Sequence, residues 1–215
     1  MYLPPHFTET DRAEIDALID TRPLAALVVA TDKGLVANHI PLLRAGDDRL
    51  VGHIALANEL HRLVQDEHEA VAIFGGEDSY VSPNWYPGKA AHHKVVPTWN
   101  YRVVHVHGRI SFQHDDKAKR AVVGRLTTRF ERETNGDAAW KMADAPADFM
   151  AEQLDAIVGI SIAVDRIEAK SKLSQNRAPE DFDSVTKELG DRDRPDLARR
   201  CAIWRMPGVT TISSC

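Results

Sequence analysis

The sequence predicts an α+β fold that is built mainly on antiparallel β-strands, about six of them, with flanking helices. Two observations predict this class. The strands expected at residues 24–30, 35–44 and 49–55 are joined by turns of a few residues, and such short connections make neighbouring strands antiparallel. The long strand expected at 99–112 alternates apolar and polar residues, as a sheet with one solvated face does. Six antiparallel strands can close into a small barrel.

The N-terminal half is predicted to begin with a helix and to continue as strands. Thr8 and Asp11 resemble a capping box, and apolar residues recur on one helical face, so a helix is predicted over 8–20. Asn58 can cap a short helix that ends near residue 65. Four strands are predicted from apolar runs bounded by turn residues, at 24–30, 35–44, 49–55 and 70–75.

The C-terminal half is predicted to carry most of the helices. Residues 76–95 form a long predicted loop, and such loops in a compact domain are usually functional or mobile. Apolar residues recur every four positions in 115–133 and predict a helix there. The remaining elements are a helix at 146–156, a strand at 158–172, and short helices at 179–189 and 195–201. The predicted domains are a barrel with inserted helices, residues 1–178, and a C-terminal helical tail packed on it, residues 179–215.

The composition is that of an ordinary globular protein. The 215 residues are 43% hydrophobic and 27% charged, with a net charge of −5, which excludes a mostly disordered chain. No stretch reaches the roughly 18–20 apolar residues of a membrane span. The N-terminus lacks the basic start and apolar core of a signal peptide, so a cytoplasmic location is predicted. Cys201 and Cys215 are too few for a disulfide framework or a four-thiolate zinc site.

Common catalytic motifs are missing, and the ten histidines do not form a metal motif. GxGxxG, Walker A, HExxH and GxSxG are all absent from the sequence. The adjacent His92 and His93 would point apart on a strand, and His105 and His107 have no carboxylate or thiol nearby at ligand spacing. No metal site is therefore predicted, and a haem or other ligand pocket that uses the histidines stays an alternative.

Two strands carry polar residues in otherwise apolar surroundings, at Asn38–Pro41 and at His53–Asn58. Polar groups at such positions need partners. One interpretation is a ligand held by two adjacent strands, paired across the turn at 45–48, and by the free N–H groups of a helix N-terminus, which suit a phosphate. The other interpretation is local capping by Asn58 and a hydrogen-bonded core histidine.

Aromatic residues stand beside amides and hydroxyls in SYVSPNWY at 79–86 and in VPTWNY at 96–101. Aromatic bodies with polar tips suit an interface or a flat heteroaromatic ligand, although ordinary packing at a barrel end has the same pattern. Lys170, Lys172 and Arg177 form a small basic cluster. This cluster is either a solvated strand end or a contact to a phosphate or a partner chain.

At these segments the sequence resembles the PaiB family, a family of FMN-binding negative transcriptional regulators. Seven segments carry the resemblance in the family's order: MYLPPHF at 1–7, NHIPLL at 38–43, GHIALAN at 52–58, SYVSPNWY at 79–86, VPTWNY at 96–101, VHGRI at 106–110 and KLSQNR at 172–177. Leu56 and Glu59 depart from the family pattern. The resemblance implies an FMN-binding split barrel, similar to the pyridoxamine-phosphate oxidases, and a homodimer with the cofactor groove at the subunit interface.

The resemblance, together with the polar strand ends, implies a set of FMN-binding residues. The strand ends would hold the phosphate and the ring edge, tryptophans would form a wall, and two residues would come from the partner chain, Lys172 and Gln175. The expected set is Asn38, His39, Ile40, His53, Ile54, Ala55, Asn58, Trp85, Trp99, Asn100, Lys172 and Gln175. No catalytic residue is assigned.

Three functions remain open at this point: a regulator of the PaiB type, a flavin-dependent oxidoreductase on the same scaffold, and a haem-binding protein. DNA binding is expected to be weak and strongly salt-dependent at most, because the chain is acidic and shows no helix-turn-helix pattern. The one dense basic surface is on the helix at 115–133: Lys117, Lys119, Arg120, Arg125, Arg129 and Arg132.

Overall fold

A computed structural model describes residues 1–204, and its β-structure is a single seven-stranded sheet. The strands are β1 (Leu24–Thr31), β2 (Gly34–Pro41), β3 (Leu43–Arg44), β4 (Arg49–Ala55), β5 (His68–Val81), β6 (Thr98–Gln113) and β7 (Ile157–Lys172). Their order across the sheet is β2-β1-β5-β6-β7-β4-β3. The predicted α+β class with antiparallel strands and flanking helices is confirmed.

Residues 1–204 also contain seven α-helices, most of them in the C-terminal half as predicted. They are α1 (Arg12–Thr21), α2 (Leu60–Leu63), α3 (Lys89–His92), α4 (Asp116–Asn135), α5 (Ala147–Asp155), α6 (Pro179–Asp191) and α7 (Pro195–Trp204). None of the helices in this part of the chain combines the length and the apolar character that a membrane crossing requires.

The chain divides into two compact units. The first unit comprises Met1–Leu18, Gly75–Val104 and the residues from Glu168 onward, and the second comprises Ile19–Phe74 and His105–Ile167. In the first unit α6 and α7 share a core with Val81, Tyr86 and Leu173, which precede them in the chain. The helices contribute Phe182, Val185, Leu189, Leu197 and Cys201 to this core. The domain boundary predicted at residue 178 stays a prediction, and Cys215 lies outside the described residues.

The segment predicted as one strand at 35–44 is two strands, which raises the count from six to seven. The N–H of Leu42 still donates to Pro23 O at 2.9 Å, in register with the β1–β2 pairs, and from Leu43 onward the chain pairs with β4 instead. The predicted pairing across the turn at 45–48 is also wrong for the residues around Asn38. Across that turn β4 pairs with β3, whereas β2 pairs with β1 from Leu24↔Pro41 to Thr31↔Gly34.

Gly52 nevertheless brings the end of β2 close to β4. A Cβ atom at Gly52 would lie 2.7 Å from the backbone oxygen of Pro41 and 2.7 Å from Leu42 Cδ2. No real side chain tolerates such distances, so a glycine is required for this approach. The end of β2 and the middle of β4 are thus brought together by packing rather than by a shared ladder.

The first part of the predicted loop at 76–95 is strand. β5 continues to Val81, and the segment that follows contains only a short 3₁₀ turn at Pro83–Trp85 and α3. Gly76 within β5 packs tightly, since a Cβ there would lie 2.9 Å from Arg102 Cβ and 3.0 Å from Leu18 Cδ1. The Gly-Gly pair and the polar residues after it have the composition of a loop, but Gly76 allows the close approach that this strand makes to its neighbours.

The prediction for the helix at 115–133 is confirmed, together with its apolar face. Asp115 caps α4 by accepting from Ala118 N at 2.9 Å. Val122 and Leu126 pack in the second unit against Leu43 of β3 and Val51 of β4. The long amphipathic helix therefore covers these two strands and leaves its basic side outward.

Candidate flavin site

The expected FMN-binding residues fall into two groups, one in each compact unit. The group in the second unit is centred on Asn38, His53 and Asn58. The group in the first unit is centred on Trp99 and Lys172.

Asn58 and Asn38 form a hydrogen-bond relay that begins at a backbone N–H. The N–H of Leu60 donates to Asn58 Oδ1 at 3.0 Å, and Asn58 Nδ2 donates to Asn38 Oδ1 at 2.7 Å. Because an N–H can only donate, the oxygen of Asn58 must face it, and this fixes the orientation of both amides. The relay therefore leaves Asn38 Nδ2 as its open end, and this donor is buried with no partner among the described residues.

His53 is the second polar group of this unit. It lies on β4 opposite Gly159 of β7 and is half-buried. Burial lowers the pKa of His53 below its usual value, so the imidazole is neutral near pH 7. Its Nδ1 atom is buried and has no hydrogen-bond partner among residues 1–204. The alternative of a satisfied core histidine does not describe this side chain.

The other expected residues of this group divide between core and surface. Ile40 and Ile54 are buried and belong to the apolar core, whereas His39 and Ala55 are exposed. The expectation of a helix N-terminus for the phosphate is not met by α2, which has only four residues and whose Leu60 N–H is already capped by Asn58. Asn58 therefore caps α2 locally, as one of the two interpretations expected, and the same hydrogen bond is the start of the relay to Asn38.

In the first unit Lys172 ties two segments together. Its Nζ donates to Thr98 Oγ1 and to the backbone oxygen of Trp99, the latter at 2.5 Å. Burial, followed by the charges of Lys170 and Arg177, lowers the pKa of Lys172. The indole of Trp99 is 52% exposed and meets the ring of Tyr80 edge-on at 6.3 Å. These two aromatic side chains present an apolar patch beside a held ammonium group.

Asn100 and Gln175 shape a strained turn at Ser174. Ser174 has a φ of 66°, a left-handed conformation that is uncommon outside glycine. Its Oγ donates to Asn100 Oδ1 at 3.0 Å, and Gln175 accepts from Leu173 N at 2.6 Å and donates to Ser171 O at 2.5 Å. Asn100 is fully buried, and its Nδ2 has no partner among the described residues. The KLSQNR segment is thus a rigid, hydrogen-bonded turn.

Trp85 lies elsewhere in the first unit. It packs against the core of α6 and α7, and the guanidinium of Arg192 lies 5.3 Å from its ring centroid. This arrangement stacks an arginine on an indole, an ordinary way to pack a tryptophan at a surface.

Sequence reasoning missed the surroundings of Lys170. This residue is 6% exposed, and its Nζ lies 5.4 Å from the ring centroid of Tyr2, 5.9 Å from that of Phe7 and 5.3 Å from that of Tyr101. Its Nζ also donates to Tyr2 O at 3.2 Å. The MYLPPHF segment was noticed only as part of a resemblance, and its role is to enclose a buried ammonium group with aromatic faces.

The comparison with known families decides the classification. The family model described as "Putative FMN-binding domain" matches residues 1–166. The chain belongs to this family. FMN is therefore its cofactor, and the resemblance to the PaiB family is confirmed.

Individual relatives agree with this classification. The chain is 28% identical over 200 residues to Protease synthase and sporulation protein PAI 2 of Bacillus subtilis, which covers 91% of this chain and 92% of that protein. A solved structure of the FAD and heme binding protein from Mycobacterium smegmatis is 24% identical, with a TM-score of 0.57 and coverage of 81% and 78% of the two chains. A conserved hypothetical protein from Mycobacterium tuberculosis is 11% identical with a TM-score of 0.56, over 83% of this chain and 94% of that one. The two structures show that the fold is shared.

The unpartnered atoms offer a test of fit for the cofactor. Among the buried side-chain polar atoms that have no hydrogen-bond partner in the described part of the chain, three belong to expected site residues: Asn38, His53 and Asn100. An unsatisfied buried polar group costs about 1–3 kcal/mol, which a bound ligand can offset. The residues of β2 and β4 therefore fit a flat ligand with hydrogen-bonding edges.

Proposed function

We propose that this FMN-binding split-barrel protein holds its flavin at Asn38 and His53, with Asn58 as a positioning residue, and acts in negative transcriptional regulation. The observation that carries the binding site is the relay from the N–H of Leu60 through Asn58 to Asn38. It presents a buried donor, and the edge of a flavin ring and its phosphate offer acceptors. His53 adds a neutral imidazole whose Nδ1 has no partner among residues 1–204.

Bound FMN supplies hydride or single-electron chemistry, and the chain supplies binding and orientation. Asn38 would donate a hydrogen bond to the ring edge, and neutral His53 would add a second contact without bringing a charge. Ile40 and Ile54, which flank these residues on the same strands, keep the strands anchored in the core.

We further propose a homodimer in which Trp99 and Lys172 reach the flavin of the partner subunit. The exposed pair of Tyr80 and Trp99 supports this, since exposed aromatic patches mark interfaces. Asn100 and Gln175 would then act indirectly, by holding the turn at Ser174. Sedimentation at micromolar concentration should give twice the chain mass, and a stable monomer would contradict the dimer.

Titration of the apoprotein with FMN tests the binding site. Asn38→Ala and His53→Ala should each weaken FMN about tenfold or more, since each loses a hydrogen bond to a buried ligand. Asn135→Ala is the matched control, because Asn135 is an exposed asparagine bonded only to Glu131. If both site variants fold and bind FMN like the parent, the flavin lies elsewhere.

The regulatory role predicts weak and strongly salt-dependent DNA binding. Two of the six basic residues of α4 are used internally: buried Lys119 pairs with Asp116 at 3.0 Å, and Arg129 pairs with Asp20 at 3.3 Å. The remaining charges would contact the phosphate backbone rather than the bases, and such contacts release counterions, so affinity should fall steeply with salt. Tight, sequence-selective binding at high salt would contradict this.

Steady oxidation of NAD(P)H by the FMN-loaded protein would instead favour the oxidoreductase alternative. The cytoplasmic location stays a prediction.

A further inference from the structure

A groove rich in arginine runs along α4 in the second unit and shares no residue with the proposed flavin site. It has a volume of about 760 Å³. We call it the arginine groove and define it by Arg44, Arg120, Arg125, Arg129 and Arg132, all of which line it. All but Arg44 are on α4, and Arg44 is on β3 beneath the helix.

Two of these arginines are compensated and three are not. Asp20 accepts from Arg44 at 2.9 Å and lies 3.3 Å from Arg129, which also pairs with Glu133 at 3.0 Å. Burial alone would raise the pKa of Asp20, but Arg44 and Arg129 outweigh it and lower the pKa, so Asp20 stays ionised and orders both side chains. Arg120, Arg125 and Arg132 are exposed and form no ion pair within residues 1–204.

The floor of the groove is made of small residues of α4, among them Gly124 and Thr128. A Cβ atom at Gly124 would meet only Met142 Sδ, at an ordinary contact distance of 3.7 Å. Packing therefore does not require a glycine, although glycine inside a helix costs about 1 kcal/mol relative to alanine. What the glycine does provide is an open floor between the arginine side chains.

The dimensions and charges favour a compact anion with several phosphates. From Arg120 to Arg132 the helix rises about 18 Å, too far for one phosphate to contact all the arginines. Guanidinium groups bind phosphates through paired hydrogen bonds. Small-molecule sites typically have volumes of about 300–1,000 Å³, and the groove lies in this range. A long duplex is disfavoured by the carboxylates of Asp20 and Glu133 and by a net charge of −5.

We propose that the arginine groove binds a compact anion that carries two or more phosphate groups. The uncompensated charges of Arg120, Arg125 and Arg132 would hold the phosphates, while Arg44 and Arg129 stay ordered by Asp20. This proposal does not depend on where FMN binds.

Calorimetric titration of the FMN-loaded protein with inorganic tripolyphosphate, at about 50 mM salt, tests the proposal. We expect saturable binding of one anion per chain, and orthophosphate should bind about tenfold more weakly or worse because it engages fewer arginines. The variant Arg120→Gln/Arg125→Gln/Arg132→Gln should lose about tenfold or more in affinity. A control with the same loss of charge at exposed lysines outside the groove, Lys33→Gln/Lys94→Gln/Lys117→Gln, should bind like the parent.

A second variant tests the shape of the groove. Gly124→Leu fills the floor, keeps every charge and favours the helix, so it should weaken tripolyphosphate without lowering the melting temperature. The proposal is overturned if no saturable binding is seen, if the lysine control loses as much as the arginine variant, or if orthophosphate binds equally well. It is also overturned if a short DNA duplex binds the arginines more tightly than tripolyphosphate. Loss of FMN from the arginine variant would identify the groove as part of the flavin site, whereas retention keeps the two sites distinct.

Discussion

Replacing Asn58 with aspartate should reverse the polarity of the group that Asn38 offers to the flavin. Aspartate keeps an oxygen for the N–H of Leu60, which is 3.0 Å from Asn58 Oδ1. It cannot donate to Asn38 Oδ1, which now accepts from Asn58 at 2.7 Å. Two acceptors would face each other, so the amide of Asn38 should rotate and donate to the carboxylate. The open end of the relay then becomes a carbonyl oxygen instead of an amino group.

The magnitude follows from the hydrogen bonds involved. The variant loses the hydrogen bond that Asn38 donates to the flavin and places the carbonyl oxygen of Asn38 against an acceptor of the flavin. Together these two changes cost about 1.5–3 kcal/mol of binding free energy. FMN affinity should therefore fall about tenfold to about 100-fold. The apoprotein should keep its stability to within about 1 kcal/mol, because the cap on Leu60 remains.

Fluorescence titration of the apoprotein with FMN, alongside thermal melting, measures both quantities. Asn58→Ala is the comparison, since it removes the cap as well and should lower the stability of the apoprotein by about 1 kcal/mol. Riboflavin, which has no phosphate, separates the effect on the ring from repulsion between the new carboxylate and the phosphate. The relay argument is refuted if Asn58→Asp binds both riboflavin and FMN within about twofold of the parent.

Three further predictions concern buried groups. Because the pKa of His53 is lowered in the folded state, the unfolded chain binds more protons than the folded protein below about pH 6.5. The free energy of unfolding should therefore decrease as the pH is lowered, by up to about 1.4 kcal/mol per pH unit, and urea unfolding of His53→Asn should show a smaller decrease. An equal decrease in the variant would contradict the role of His53. Arg102 is 3% exposed and pairs with Glu14 at 2.9 Å and with Glu77 at 3.5 Å. In denaturant unfolding, Arg102→Met should lower the free energy of unfolding by about 3 kcal/mol. The exposed control Arg192→Met should change this free energy by less than about 1 kcal/mol. Burial raises the pKa of Cys201 to about 12, so in a Cys215→Ser variant Ellman's reagent should react only after unfolding, and rapid reaction of the folded protein would show that this core opens.

Elements with a strong local pattern could be predicted from the sequence. The alternation in β6 and the four-residue recurrence in α4 are properties of single segments, and both elements have nearly the predicted bounds. The errors lie where local composition and tertiary demand differ. The mostly apolar run at 35–44 is divided after Pro41, where the chain stops pairing with β1 and then pairs with β4, and the segment after Phe74 continues β5 because Gly76 allows close packing there.

The same distinction holds for the candidate site. Sequence identified Asn38, His53 and Asn58 as polar residues in apolar surroundings, and the resemblance to a family tied them to FMN. It could not show that Asn58 orients Asn38, because that hydrogen bond joins residues 20 positions apart, Asn38 on β2 and Asn58 in the connection between β4 and α2. It also wrongly expected the residues around Asn38 to pair with β4, since a short turn favours a hairpin but does not say which part of a long run forms it.

By itself, then, the sequence determined the class of fold, the long helix and strands, and the chemistry available at the strand ends, because periodicity and residue type are local. Tertiary structure alone decided which of the basic side chains are buried among partners and which are exposed without an ion pair among the described residues. Lys119 and Lys170 are both buried, whereas Arg120, Arg125 and Arg132 remain exposed along one groove. In the sequence all five are simply cations. Their difference arises from the groups around them, Asp116 and Asp155 for Lys119 and the rings of Tyr2, Phe7 and Tyr101 for Lys170, because a buried charge is tolerated only where the fold brings compensating groups to it.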